Sequence, residues 1–221
     1  MKKYMGVLIL LGLIILVACT NGEEAEDFQK TSLSNIDTIH IENASTKVNV
    51  VSADIEDLEV SLLLYDDGPG IIMDKGKRKI TIGLKNDITR LAKLGKKPEL
   101  EVRIPSEFEG EIIVDGSSGN VVGKELKTHN LQVDVSSGNV KLDFLNFHSN
   151  VYVTTTSGNV DVSVNENEPD TTLSLKSNSG RRSVGIVLDE QQQRKKETKG
   201  TSGSGDYEVK LETASGNISL K

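Results

Sequence analysis

Large aromatic side chains and cysteines are scarce in this sequence. Its 221 residues include no Trp, four Phe, four Tyr and a single Cys. One Cys excludes an intramolecular disulfide and a cysteine-based metal cage. The few aromatics exclude a core built on ring side chains, so Val, Ile and Leu must supply the core instead. The length suits one domain of ordinary size or two small ones.

Residues that usually carry catalysis or metal binding are also few. The three histidines lie far apart in sequence, and no phosphate loop, nucleophile elbow or zinc-protease motif occurs. We therefore expect no metal site, no cofactor and no enzymatic activity. The net charge of −7 and the lack of aromatic stacking residues argue against binding to nucleic acid.

The N-terminus has the pattern of an export signal. Two lysines precede an apolar run over residues 7–18, which is shorter than the ~20 residues that span a bilayer as a helix. The run ends in Leu16-Val17-Ala18-Cys19, which resembles the lipobox of bacterial lipoproteins. The resemblance implies that residues 1–18 are a signal peptide and that Cys19 is acylated through its sulfur. Acyl chains on Cys19 would hold the protein to the extracytoplasmic face of the cell membrane.

Residues 19–35 are predicted to form a flexible tether after the lipid anchor. The segment is polar and acidic and shows no hydrophobic periodicity. A flexible chain of that length has a root-mean-square reach of roughly 20–24 Å. The folded part of the protein would therefore hang just outside the membrane.

A repeated Ser-Gly-Asn motif dominates residues 36–221. Each copy lies between two segments in which apolar and polar residues alternate, as in half-buried β-strands. Glycine supplies the positive φ that a tight corner tends to need, and Ser and Asn hydrogen-bond local backbone there. Successive corner glycines are 19, 20, 22 and 36 residues apart: Gly119 with Asn120, Gly138 with Asn139, Gly158 with Asn159, Gly180 with Arg181 in a degenerate copy, and Gly216 with Asn217.

The repeat predicts an all-β fold. A unit of about 20 residues with one apolar face per strand cannot bury that face alone, whereas stacked copies bury a continuous core. We therefore predict a right-handed parallel β-helix or β-solenoid, with strands ~4.8 Å apart and the corner asparagines forming a structural ladder. The alternative is an antiparallel β-sandwich, which gives no reason for one corner to recur. The polar residues 187–205 predict a loop inserted between two repeats.

At this point the sequence resembles a known family. Residues 36–221, with Ser-Gly-Asn placed repeatedly before an aliphatic residue, resemble the bacterial putative-adhesin domain family, a domain of unknown function. The resemblance implies a β-solenoid and a location in the cell envelope, in some members near genes of the envelope-stress response. It implies no catalytic residues.

Two carboxylates, Asp115 and Asp134, occupy the same place in adjacent repeats, four residues before the corner glycine. In a solenoid they would be neighbours, close enough to bind Ca²⁺ or to act as an acid/base pair. This spacing leaves one enzymatic alternative, a carbohydrate-active enzyme on a β-helix. We prefer a solvated outer face, because these positions alternate with apolar ones.

Basic residues concentrate in one stretch of this acidic chain. Residues 75–97 contain nine lysines and arginines against one acid, Asp87. Such a concentration favours contact with an anionic surface, such as lipid phosphates or a phosphate-rich wall polymer, although a solvated charged face has the same composition. The candidate contact residues are Lys75, Lys77, Arg78, Lys79, Arg90, Lys93, Lys96 and Lys97.

These features together predict a non-enzymatic, lipid-anchored envelope protein with an adhesin-like role, binding or scaffolding at the membrane–wall interface. Its partners would be the membrane, through the N-terminal lipid, and an anionic cell-wall polymer or an envelope protein. A third hypothesis is an accessory role in the envelope-stress response.

Overall fold

The structure, a computed structural model, describes residues 25–64, 70–84 and 98–221, and every regular element in these ranges is a β-strand. None of the described residues belongs to a helix that could cross a membrane. The predicted signal peptide of residues 1–18 and the predicted acylation site Cys19 lie outside the described residues. The nineteen strands of these ranges are β1 (Ala25–Thr31), β2 (Thr38–Ala44), β3 (Lys47–Ala53), β4 (Leu58–Leu64), β5 (Ile71–Lys75), β6 (Lys79–Leu84), β7 (Glu99–Pro105), β8 (Glu111–Ser118), β9 (Val121–Leu126), β10 (Asn130–Ser137), β11 (Val140–Phe144), β12 (Asn150–Ser157), β13 (Val160–Ser163), β14 (Thr171–Ser179), β15 (Arg182–Val184), β16 (Glu190–Gln193), β17 (Glu197–Ser202), β18 (Tyr207–Ser215) and β19 (Ile218–Leu220).

The strands form two large sheets. The first sheet has the order β1-β4-β7-β3-β9-β11-β13-β19-β15, and the second has the order β16-β17-β14-β18-β12-β10-β8-β2-β6-β5. Pairing is parallel from β7 to β15 in the first sheet and from β14 to β6 in the second. The prediction of an all-β, solenoid-like fold is thereby confirmed, and the antiparallel sandwich is wrong.

Each repeat is a coil, by which we mean one strand of the second sheet followed across a corner by one strand of the first. The inward-facing side chains of a coil stack on the equivalent side chains of its neighbours, because the parallel registers have no offset. Residues seven and five positions before each corner glycine are at most 2% exposed, and in the four Ser-Gly-Asn copies so are the aliphatic residues two and four positions after it. Full burial of each such side chain contributes about 1.5–3 kcal/mol. The stacked aliphatic columns therefore form the core that the alternation predicts.

The coils do not stack in the order of the sequence. The second-last strand of the chain, β18, lies between β12 and β14, pairing in parallel with both. β19 likewise lies between β13 and β15. The last coil of the chain is thus an inner coil, and the β14–β15 coil ends the stack. At the other end, β2 lies between β6 and β8, so the first coil of the chain is also an inner one.

Antiparallel strands cover both ends of the stack. At one end β1 and β4 extend the first sheet and β5 extends the second. Residues 25–31, which the sequence assigns to a flexible tether, form β1, and the Asp27 carboxylate accepts a hydrogen bond of 2.7 Å from Ile71 N–H. At the other end the predicted loop of residues 187–205 contains the β16–β17 hairpin, which pairs with β14. Both differences have one cause: backbone pairing to an open sheet edge needs no apolar periodicity.

Candidate functional surfaces

The Ser-Gly-Asn corners form one column along an edge of the stack. The Oδ1 atom of Asn120 accepts a hydrogen bond of 2.9 Å from the backbone N–H of Asn139. In the same way, Asn139 Oδ1 accepts a hydrogen bond of 3.0 Å from the N–H of Asn159, and Asn159 Oδ1 accepts one of 2.9 Å from the N–H of Asn217. The corner glycines of the four Ser-Gly-Asn copies add a second series, because each of their N–H groups donates to the serine carbonyl of the next coil. These hydrogen bonds all join one coil to the next, so the column links the coils of the stack.

The last bond of this ladder runs to the degenerate copy. Asn217 Oδ1 accepts a hydrogen bond of 2.9 Å from the N–H of Arg181. An arginine side chain has no acceptor atom, so it cannot continue the ladder to a further coil. The degenerate motif therefore stands where the stack ends, although it is fourth of five in the sequence.

The structure brings Asp115 and Asp134 together on the outer face of the second sheet. They are register partners on β8 and β10, and the side chain of Asp115 is 47% exposed. Two residues that the sequence does not single out join them: His40 Nε2 lies 2.6 Å from Asp115 Oδ2, and His40 Nδ1 lies 3.6 Å from Glu42 Oε1. Aligning β2 with the Ser-Gly-Asn repeats would have revealed both, but β2 has no such motif at its corner.

These side chains line an open groove of about 720 Å³, together with Ile72 and Leu84. Within the described ranges, no group of three or more His, Cys, Asp and Glu side chains is arranged to hold a metal ion. The groove can hold an extended polar ligand, but one of its carboxylates, Asp115, is already hydrogen-bonded to His40.

Four of the predicted anionic-surface residues lie together at the turn between β5 and β6. Lys75 Nζ donates to the Ser32 carbonyl at 2.5 Å, and the Arg78 guanidinium pairs with the Asp37 carboxylate. The side chains of Lys77 and Lys79 are exposed beside them. The other four, Arg90, Lys93, Lys96 and Lys97, lie outside the described residues.

A second basic group lies at the opposite end of the stack, where the β14–β15 coil meets the turn of the β16–β17 hairpin. The guanidinium of Arg182 donates to the carbonyls of Arg194 and Lys195 at 3.0 and 3.3 Å, and to Thr198 Oγ1 at 3.1 Å. We call Arg181, Arg182, Arg194, Lys195 and Lys196 the distal basic group. Its two segments, residues 181–182 and residues 194–196, are both visible in the sequence, but only the structure shows that they lie side by side.

Local hydrogen bonds shift the pKa of three surface groups. Bonds from Lys47, at 2.8 Å, and from Asn49 hold the pKa of the Glu99 carboxyl below its usual value. A hydrogen bond from the Ser204 N–H lowers the pKa of Asp170. All these bonds join neighbouring elements, so we assign these groups to the fold rather than to catalysis.

Tyr152 is the third of these groups, on the outer face of the second sheet. Its hydroxyl donates a hydrogen bond of 2.8 Å to the Glu208 carboxylate, and this bond raises the pKa of the phenol. The phenol therefore stays protonated and links β12 to the start of β18.

Known proteins share the sequence pattern and the architecture of this chain. The sequence profile of the Toastrack DUF4097 family matches residues 36–146 and 124–221. Curated proteins give no match by sequence. Among solved structures, a putative cell adhesion protein from Clostridium sporogenes ATCC 15579 is similar with a TM-score of 0.68 and 18% identity, covering 90% of this chain and 99% of that one. A putative adhesin from Bacteroides fragilis NCTC 9343 gives a TM-score of 0.37 at 12% identity, covering 89% and 97%. The first likeness shows a shared fold.

Proposed function

The chain belongs to the Toastrack DUF4097 family, and from this premise we propose that it is a non-enzymatic, lipid-anchored envelope protein that binds or scaffolds at the membrane–wall interface. The observation that carries the proposal is where the folded part begins. β1 starts at Ala25, six residues after Cys19. Even a fully extended chain of six residues spans only about 20 Å. Acylation of Cys19 would therefore keep the β1 end of the stack close to the lipid headgroups.

Charge at this end supports the proposal. The turn of Lys75, Lys77, Arg78 and Lys79 belongs to β5 and β6, which lie at the same end of the stack as β1. An anchored molecule would thus hold this turn near anionic lipid phosphates or wall polymers, where exposed cations are attracted within about one Debye length, ~8–10 Å.

Lipid attachment is tested by labelling cells with a fatty-acid analogue that carries a detectable tag. We expect the wild-type chain to take up the label and Cys19→Ser to take up none, because the sulfur is the atom that is acylated. Thr20→Ser is the matched control and should be labelled like the wild type. Equal labelling of Cys19→Ser and wild type would rule out anchoring through Cys19.

Binding at the interface is tested by sedimenting the full chain with purified cell walls at low and high salt. We expect pelleting that is lost at high salt and reduced several-fold by Lys77→Glu/Lys79→Glu, because screening removes contacts between exposed charges. The control is Lys127→Glu, an exposed lysine after β9. Pelleting unchanged by the double reversal would remove this turn from the proposed binding surface.

The enzymatic alternative rests on the register pairing of Asp115 and Asp134. Neighbouring strands lie ~4.8 Å apart, a spacing that resembles the ~5–5.5 Å between the two carboxylates of retaining glycosidases. The same sedimentation assay includes a measurement of released sugar, and we expect none. Release that is abolished by Asp115→Asn/Asp134→Asn would establish the enzyme and overturn the non-enzymatic proposal.

A further inference from the structure

The end of the stack leaves backbone donors without their usual acceptors. In the inner coils, two N–H groups at each corner donate to the next coil. The corner glycine N–H donates to a serine carbonyl of that coil. The N–H two residues later donates to the carbonyl of that coil's corner asparagine or arginine. The β14–β15 coil has no next coil in the first sheet. The equivalent N–H groups are those of Gly180 and Arg182, and neither donates to another described residue outside the strand ladders.

The direction of these two groups follows from the parallel ladder. Successive N–H groups of a parallel strand point alternately to its two neighbours. Gly185 N–H donates to Leu220 on β19 at 2.7 Å, so the N–H groups of Arg182 and Val184 point to the open side. The N–H groups of the corner glycines point toward the same end of the stack, because Gly216 N–H donates to the Ser179 carbonyl of the β14–β15 coil, which is the last one. Gly180 and Arg182 thus direct two N–H groups off the end of the stack.

Positive charge surrounds these donors. Arg181 separates them in the chain, and its side chain is exposed. Arg182 holds the hairpin turn against the corner through its bonds to the Arg194 and Lys195 carbonyls, so the exposed side chains of Arg194, Lys195 and Lys196 are gathered at the same end. No ion pair between described residues includes any member of the distal basic group, and the nearest hairpin carboxylate, Glu197, pairs with Lys199 at 3.3 Å.

We propose that this end of the stack binds a phosphate-bearing polymer, with phosphate oxygens accepting hydrogen bonds from the N–H groups of Gly180 and Arg182 and the distal basic group neutralising the charge. Phosphate fits because backbone N–H groups at a turn, flanked by cations, make an anion-binding arrangement. A polymer fits because the cations are spread over two elements rather than converging on one point. The site is independent of the turn at Lys75–Lys79, since the six strand-to-strand spacings from β14 to β6 in the second sheet separate the two by roughly 29 Å.

The test titrates the full 221-residue chain, purified in mild detergent and labelled with ¹⁵N, with inorganic polyphosphate. We expect the amide signals of Gly180 and Arg182 to move, while that of Gly138 at an inner corner stays in place. Arg181→Asn should weaken binding about three- to five-fold, the range expected for one exposed charge contact. This variant restores the motif of the inner corners, so the fold should be retained.

A second variant, Arg194→Gln/Lys195→Gln/Lys196→Gln, should weaken polyphosphate binding about tenfold or more, since it removes three exposed cations. Lys141→Gln, an exposed lysine of β11 in the middle of the first sheet, is the control and should bind like the wild type. Equal binding of polyglutamate would overturn the assignment to phosphate. Amide shifts at Gly138 instead of Gly180 would overturn the site.

The outcome is separable from that of the proposed function. If Lys77→Glu/Lys79→Glu abolishes polyphosphate binding and the distal variants do not, the anchored end binds the polyanion and this inference is wrong, while the proposed function stands. If Cys19→Ser is labelled like the wild type but the distal variants weaken binding, anchoring through Cys19 fails and the distal site stands.

Discussion

Replacing Gly158 with alanine is expected to cost about 3–5 kcal/mol and to leave little of the folded domain. Gly158 has φ +155°, a region that L-residues occupy only at a cost of about 1–3 kcal/mol. A Cβ atom there would also collide with the carbonyl of Gly138 in the coil below. The total free energy of unfolding of a small domain is only about 5–15 kcal/mol. Chemical denaturation monitored by circular dichroism measures the loss.

Gly83→Ala is the matched control for Gly158→Ala. Gly83 lies on β6 without a positive φ, and an added Cβ would come no closer than 3.9 Å to its neighbours. We expect a change within about 1 kcal/mol, since alanine reduces the entropy of the unfolded chain without strain. If both variants lose the same stability, the corner has no special requirement for glycine.

The local structure of the coils could be predicted from the sequence because it depends on local chemistry. Alternating residues such as Val151, Val153 and Val160 must face one side of a strand, and a tight corner between strands favours glycine. All three valines are at most 1% exposed, and the corner at Gly158 has the positive φ that the motif predicts.

The stacking order could not be predicted from the sequence, because the repeats are interchangeable. The inner residues of β14, Leu173 and Leu175, would pack on β12 about as well as Val209 and Leu211 of β18 do. Hydrophobic pattern therefore cannot decide which coil is the inner one. The degenerate corner at Arg181 was the one signal available, since a motif that ends the ladder belongs at the end of the stack.

The candidate functional surfaces also differ in how far the sequence predicts them. Asp115 and Asp134 could be paired from the sequence, because both lie at the same distance from a Ser-Gly-Asn corner. His40 could not, because it lies 75 residues from Asp115 on a coil without the motif. The distal basic group was missed for a further reason: it depends on the β16–β17 hairpin, whose polar strands carry no hydrophobic pattern.

Leu220→Ala is expected to destabilise the protein by about 2–5 kcal/mol, although Leu220 is the second-last residue of the chain. Terminal residues usually tolerate change, because they are exposed and frayed. Leu220 is 0% exposed, and its carbonyl accepts a hydrogen bond of 2.7 Å from Gly185 N–H. Its position inside the stack is the reason for the large effect, and denaturation with urea measures it.

The control for Leu220→Ala is Val184→Ala on β15, which tests the stacking order directly. Val184 pairs with Leu220 in register but lies at the edge of the first sheet, where it is only half-buried. We expect this change to cost about 1 kcal/mol or less, because little of the side chain is removed from water. A stack in sequence order would reverse the two results, since β15 would then lie inside and β19 at the edge. The measured order also bears on the distal basic group, because β15 reaches the open end only when β19 separates it from β13.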